Sequence, residues 1–124
     1  MYLCSVNIVV MELKPRFKVV LYREADEFLR RIDAKASLKI KDNIYKASLC
    51  LDPVLLKKLT GDIWEFRTLY SGKQYRMLAF WDKRDGNNTL VIATHGFIKK
   101  VSKVPQKEID KANEIMRLYF INNK

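Results

Sequence analysis

From Ile63 to Tyr70 the chain reads I-W-E-F-R-T-L-Y, with Trp64, Phe66 and Tyr70 at one parity and Glu65 and Arg67 at the other. A period of two is that of a strand with one buried and one solvated face. Ser71-Gly72-Lys73 follows as a tight hairpin turn, then a strand-like run over 74–82. Asp85-Gly86-Asn87-Asn88 signals a second turn, ahead of a third strand over 89–98. Strands joined this closely restrict the core to a small antiparallel sheet whose aromatic face must be covered.

The cover comes from both ends of the chain. A β-branched and aromatic run over 16–22 predicts a first strand. Ala25, Phe28, Leu29 and Ile32 then recur at helical spacing. Asp33 is placed to cap a second helix that buries Ala36, Leu38, Ile40, Ile44, Tyr45, Ala47 and Leu49. With almost no linker between them, the two helices are expected to form an antiparallel hairpin. Asp52-Pro53 ends that region, and P-V-L-L-K-K-L reads as a short helical turn. A last helix starts near Pro105, with Ile109, Ala112, Ile115, Met116, Tyr119 and Phe120 as its apolar stripe. The whole predicts one α+β domain over residues 1–124.

Residues 1–11 are apolar, but they lack the basic flank and cleavage site of a signal peptide and are too short to span a bilayer. They read as an N-terminal extension, with Met11 as an alternative start, or as an edge strand or a disordered tail. A cytoplasmic protein is the expectation. Cys4 and Cys50 lack CxxC spacing and a histidine-rich neighbourhood, which argues against structural zinc. Free thiols in a reducing compartment are the preferred reading, with one disulfide as the alternative.

The net charge of +10 on 124 residues favours polyanionic partners and salt-sensitive encounter with them, though a merely solubilising surface has the same composition. Arg67 and Arg76 fall on neighbouring strands, where their guanidiniums can reach one phosphate; the alternative is pairing with Glu65. His95, the single histidine, precedes Gly96-Phe97-Ile98-Lys99-Lys100. It is a candidate acid or base, while Phe97 either stacks on a base or joins the core. Lys57, Lys58, Lys99 and Lys100 are candidate phosphate-positioning residues. No Gly-rich nucleotide loop, HExxH or nucleophile signature occurs, so no cofactor or metal is expected.

Four motifs, L-x-G-x-I-W-E-F-R, Y-R-M-L-A-F-W-D, H-G-F-I-K-K and P-x-x-E-I-x-x-A, resemble those of RelE/HigB superfamily toxins, in particular the phage-derived HigB-like branch. The resemblance covers roughly residues 16–121 and agrees in element order; Val104 departs from it, since a Thr helix cap is more usual there. It implies a RelE-like fold and a ribosome-dependent endoribonuclease that cuts translated mRNA. It also implies a cognate antitoxin, expected to be a helix-turn-helix protein, and no membrane partner. RNA would supply its own nucleophile, the 2′-hydroxyl, so neither metal nor covalent intermediate is required. Arg67 and Arg76 match the strand arginines of such a site, and His95, Lys99 and Lys100 its last-strand motif. Two alternatives stand beside it: a same-fold toxin that poisons a protein such as DNA gyrase, and an inactive phage-derived protein that binds RNA or an antitoxin.

Overall fold

The computed structural model describes residues 15–50, 52–86 and 89–123. The elements run β1 (Lys18–Leu21), α1 (Arg23–Arg31), α2 (Ala34–Leu49), β2 (Leu56–Thr60), β3 (Ile63–Tyr70), β4 (Lys73–Asp82), β5 (Leu90–Lys99) and α3 (Gln106–Asn122). They form an α+β fold of RelE type around a five-stranded sheet of order β1-β5-β4-β3-β2. The central ladders are antiparallel, and β1 joins β5 in parallel at the edge. The expected segment 1–11 and the second turn at Asn87-Asn88 lie outside the described residues. Among the described residues no helix is long and apolar enough to cross a membrane.

Alternation along the strands sorts the core into two layers. Phe66, Tyr75, Met77, Ala79, Val91 and Ala93 pack with Ala25, Phe28 and Leu29 of α1 and Ala36, Ile40, Ile44 and Ala47 of α2. On the other face Ile63, Leu78, Phe80 and Ile92 meet Ala112 and Ile115 of α3. Each helix thus buries one stripe against one sheet face.

The Asp33 cap is formed, its carboxylate accepting from the Ala36 N–H at 3.1 Å. Leu38 and Tyr45, expected inside, are instead 66% and 58% exposed. Asn43 takes the buried position because Thr68 of β3 accepts its amide at 3.1 Å, which satisfies a polar group that would otherwise be costly to bury. Leu56–Thr60 is a strand, not a helical turn, because Leu56, Lys57 and Lys58 pair with Phe66, Glu65 and Trp64. The backbone hydrogen bonds gained on the β3 edge outweigh a single unpropagated helical turn. The β3–β4 turn has φ of 51° at Ser71 and 76° at Gly72, the left-handed pair that a two-residue hairpin requires. Cys50 is buried and disulfide-bonded, which corrects the free-thiol expectation for this residue; Cys4 lies outside the described residues.

A charged clasp pins the end of α3 to β4. Arg84 donates from Nε and Nη2 to the two Asp82 oxygens at 2.9 and 2.8 Å, and the Tyr119 hydroxyl donates to Asp82 at 2.7 Å. Arg84 also donates to the Asn123 carbonyl and lies over the Phe120 ring at 5.0 Å. The hydrogen bonds from Arg84, and then that from Tyr119, hold the Asp82 carboxyl well below the usual carboxylate range. A depressed native pKa means stability that is full above the unfolded value, about 3.9, and is lost as pH falls through the native one. Asp82→Asn is therefore expected to cost on the order of 1–2 kcal/mol at neutral pH. The gap between the two melting temperatures should narrow below about pH 4. A gap that stays constant in thermal melts down to strongly acidic pH would remove the clasp from the account.

Candidate functional site

The register of the ladders sets which side chains share a face. Lys57, Glu65, Leu78 and His95 form one row across β2, β3, β4 and β5. Arg67, Arg76 and Phe97 form the next, and Leu69, Gln74 and Lys99 the one after. Leu78 belongs to the layer under α3, so all three rows lie on the α3 side of the sheet, and the second and third extend toward the β3–β4 turn. Six residues singled out in the sequence (Lys57, Arg67, Arg76, His95, Phe97, Lys99) therefore meet on one surface.

β5 reaches this surface through an irregularity. Leu78 pairs with His95 but Ala79 pairs with Ala93, so Thr94 is one residue too many. Such a bulge reverses the parity of everything beyond it. Ala93 packs on the α1–α2 side, yet His95 and Phe97 face the α3 side and Ile98 returns to the α1–α2 side. The Thr94 hydroxyl at the bulge lies within hydrogen-bond reach of the Leu78 carbonyl, 3.1 Å away.

The centre of the face is an arginine pair held by one carboxylate. Arg67 and Arg76 are register partners, and the Nε of each lies 3.3 Å from Glu65 Oε1. Arg76 is buried; its Nη2 donates to Gln74 Oε1 at 2.7 Å and its Nη1 to the Tyr75 carbonyl at 3.1 Å. Burial pulls its pKa down, Glu65 pushes it back up, and Arg67 lowers it again. A guanidinium keeps its proton through such shifts at neutral pH. Arg67, with its side chain one-third exposed, is the guanidinium a ligand meets first. Both arginines line a groove of about 560 Å³ together with Lys39, Asn43 and Lys46 of α2 and Thr68 of β3. Pairing with Glu65, one of the two alternatives in the sequence, is what the structure shows for both arginines, and Arg67 alone keeps a partly exposed guanidinium.

His95 is placed differently from its neighbours. It is 3% exposed, with Nε2 3.0 Å from Glu108 Oε1 and Nδ1 3.0 Å from Thr94 Oγ1. Burial lowers its pKa, against the opposing pull of Glu108, so the neutral ring is favoured. The Thr94 hydroxyl has one proton and two acceptors in reach, Leu78 O and His95 Nδ1. The neutral ring donating from Nε2 to Glu108 needs that proton at Nδ1. Both nitrogens are engaged, and the ring bridges β5 to α3.

The other candidates lie toward the margins of this face or off it. Phe97 is half-buried, packs against the α3 layer and lies 6.0 Å from the His95 ring. Lys99 and Lys100 line a depression of about 460 Å³ with Lys73 and Gln74. Lys58 pairs with Trp64, at the opposite parity to Lys57, and lines a separate cleft with Trp64, Trp81, Lys83 and Phe120. Lys39 and Lys46 were not singled out in the sequence; their signal is the spacing 39, 43, 46, which is one helix face. Among the described residues no three His, Cys, Asp or Glu side chains converge as a metal site.

Residues 27–117 match the family described as Phage derived protein Gp49-like (DUF891). No curated protein and no solved structure matches the chain. With most of its length matched, and the fold and arginine face lying largely inside the matched segment, the chain belongs to the Gp49-like family of phage-derived proteins, a RelE-like toxin family.

Proposed function

We propose that this protein is the toxin of a toxin–antitoxin pair of the HigB-like kind and that it cleaves translated mRNA on the ribosome. The observation that supports this most is the Arg67–Arg76 pair, two guanidiniums in direct register over one carboxylate and beside a cation-lined groove. Metal-independent RNA cleavage is favoured by cations fixed at the scissile phosphate. The 2′-oxygen attacks the adjacent phosphorus, the O2′–P bond forms and the P–O5′ bond breaks. The products are a 2′,3′-cyclic phosphate and a 5′-hydroxyl end. The proton lost from the 2′-hydroxyl passes to a base, and another is delivered to the departing 5′-oxygen.

Charge accumulates on the phosphorane oxygens between these events, and preorganised donors aimed there lower the barrier. Arg67 would meet those oxygens, with Arg76 fixed behind it. Phe97 offers an aromatic edge for an unpaired base, and Lys57, Lys99 and Lys100 offer backbone contacts. His95 reaches a substrate only if Glu108 releases it, so the proposal rests on the arginines and leaves substrate orientation largely to the ribosome. An antitoxin with an acidic segment would silence the face by covering it.

Mapping of transcript 5′ ends shortly after induction tests this. New ends inside translated regions, absent with a folded Arg67→Ala/Arg76→Ala variant, are expected. Growth arrest with intact transcripts would replace this proposal with poisoning of a protein target. Neither arrest nor cuts would leave an inactive binding protein.

A further inference from the structure

Two lysines that the sequence did not mark extend the arginine face onto a helix. Lys39, Asn43 and Lys46 lie on one face of α2, and the Asn43–Thr68 hydrogen bond presses that face against β3. The lysines flank this contact, separated by about 10 Å of helix. Lys46 is held by Asp42, at 3.1 Å in an exposed pair one turn away, the kind of contact that contributes little and is readily exchanged. Among the described residues Asp52 is the one carboxylate lining this groove, and its Oδ1 accepts from the Val54 N–H at 2.9 Å within the turn before β2.

The groove does not stop at the arginines. Gln74 lines both it and the neighbouring depression formed with Lys73, Lys99 and Lys100. Seven cations stand here against Asp42, Asp52 and Glu65. Positive charge therefore predominates from α2, past Arg67 and Arg76, and across β4 to the end of β5. From β3 to β5 alone this is about 10 Å. A compact anion would fill one depression; a track through two of them fits a chain with regularly repeated charge.

We infer that Lys39 and Lys46 form a phosphate-binding arm for single-stranded RNA, carrying the strand from the arginine pair around the β3 edge onto α2. The inference rests on the proposed RNA site at Arg67 and Arg76. The exposed side chains of Val54 and Leu69 at the groove lip admit an acidic, partly apolar peptide as the competing occupant. The excess of cations over carboxylates along the track favours the nucleic acid.

The test is fluorescence anisotropy with a short single-stranded RNA, 2′-O-methylated throughout so that it cannot be cut, titrated at several salt concentrations. Removing one cation that neutralises a phosphate reduces the slope of log affinity against log salt by about 0.7 for a single strand. Lys39→Ala/Lys46→Ala should therefore flatten the slope by about 1.4 and weaken binding roughly 10- to 30-fold near 0.1 M salt. Lys35→Ala/Lys41→Ala removes the same charge from α2 outside the groove, and should bind nearly as the parent does. Equal weakening in both variants would reduce the effect to net charge and overturn the arm. So would unchanged binding by Lys39→Ala/Lys46→Ala, or displacement of the RNA by polyglutamate of equal charge at equal concentration. The last outcome would assign the groove to a protein ligand. Transcript mapping separates the two proposals: intact transcripts with the expected binding pattern would sink the nuclease and leave the arm. Cut transcripts with unchanged binding would do the reverse.

Discussion

Arg67→Ala is expected to lower the rate of mRNA cleavage about 10²–10³-fold, the usual loss on deleting one preorganised donor to a developing oxyanion. The fold should survive it, because Arg67 is partly exposed and Glu65 keeps its second guanidinium, Arg76. Arg76→Ala should be as damaging to cleavage and worse for stability. It removes a buried cation with three polar contacts and leaves Gln74 Oε1 and the Tyr75 carbonyl without their donors. Breaking a fully buried ion pair costs about 3–5 kcal/mol, and less is expected here since Arg67 still faces the carboxylate. Arg67→Lys should not restore cleavage, because an ammonium cannot present the planar fork that Glu65 orients. Single-turnover cleavage on translating ribosomes, with thermal melts alongside, separates these cases. Full activity in a folded Arg67→Ala protein would remove the arginine pair from the chemistry.

Gly96→Ala is the substitution expected to harm the fold most for its size. A Cβ at this position would lie 2.3 Å from Phe28 Cδ2 and 2.6 Å from Cε2, well inside contact distance. The ring belongs to the buried layer beneath α1, so α1 or β5 must shift to make room. Overpacking of this kind costs typically about 1–3 kcal/mol, toward the upper end when the obstacle is a core ring. For a domain of this size that is roughly a 10 °C fall in melting temperature. Phe28→Leu, destabilising alone, should recover part of the loss in the Gly96→Ala background. Two penalties that simply add would mean the contact is not the cause. A shift of β5 would also move His95 and Phe97, so cleavage should fall before the protein unfolds.

Much of the architecture was legible because it rests on local periodicity. The aromatic parity of Trp64, Phe66 and Tyr70 is matched by β3, and Ile109, Ala112 and Ile115 are the buried stripe of α3. The opposite face of β3, expected to be solvated, is buried at Ile63 and Glu65 because α3 covers that side of the sheet. Asp33 works as a cap because capping involves only its own first turn. Leu56–Thr60 reads as helical in the sequence because four of its five residues suit either state, and pairing with β3 decides between them. Leu38 and Tyr45 lie outside for a related reason: hydrophobicity ranks them above Asn43, but of the three it is Asn43 that hydrogen-bonds β3. Parity within one strand is local information; parity between strands is not.

Alternation, turn residues and charge are readable without a partner, and they specify a basic α+β domain whose arginines sit on adjacent strands of a hairpin. Which of those residues share a face, and which are exposed, follows from contacts across the fold. One extra residue, Thr94, turns His95, Phe97 and Lys99 toward the arginine face. The packing of α3 then closes His95 beneath Glu108, and the docking of α2 on Thr68 brings Lys39 and Lys46 to the groove. Each depends on contacts between segments far apart in the chain, where a shift of a single residue reverses the face a side chain occupies.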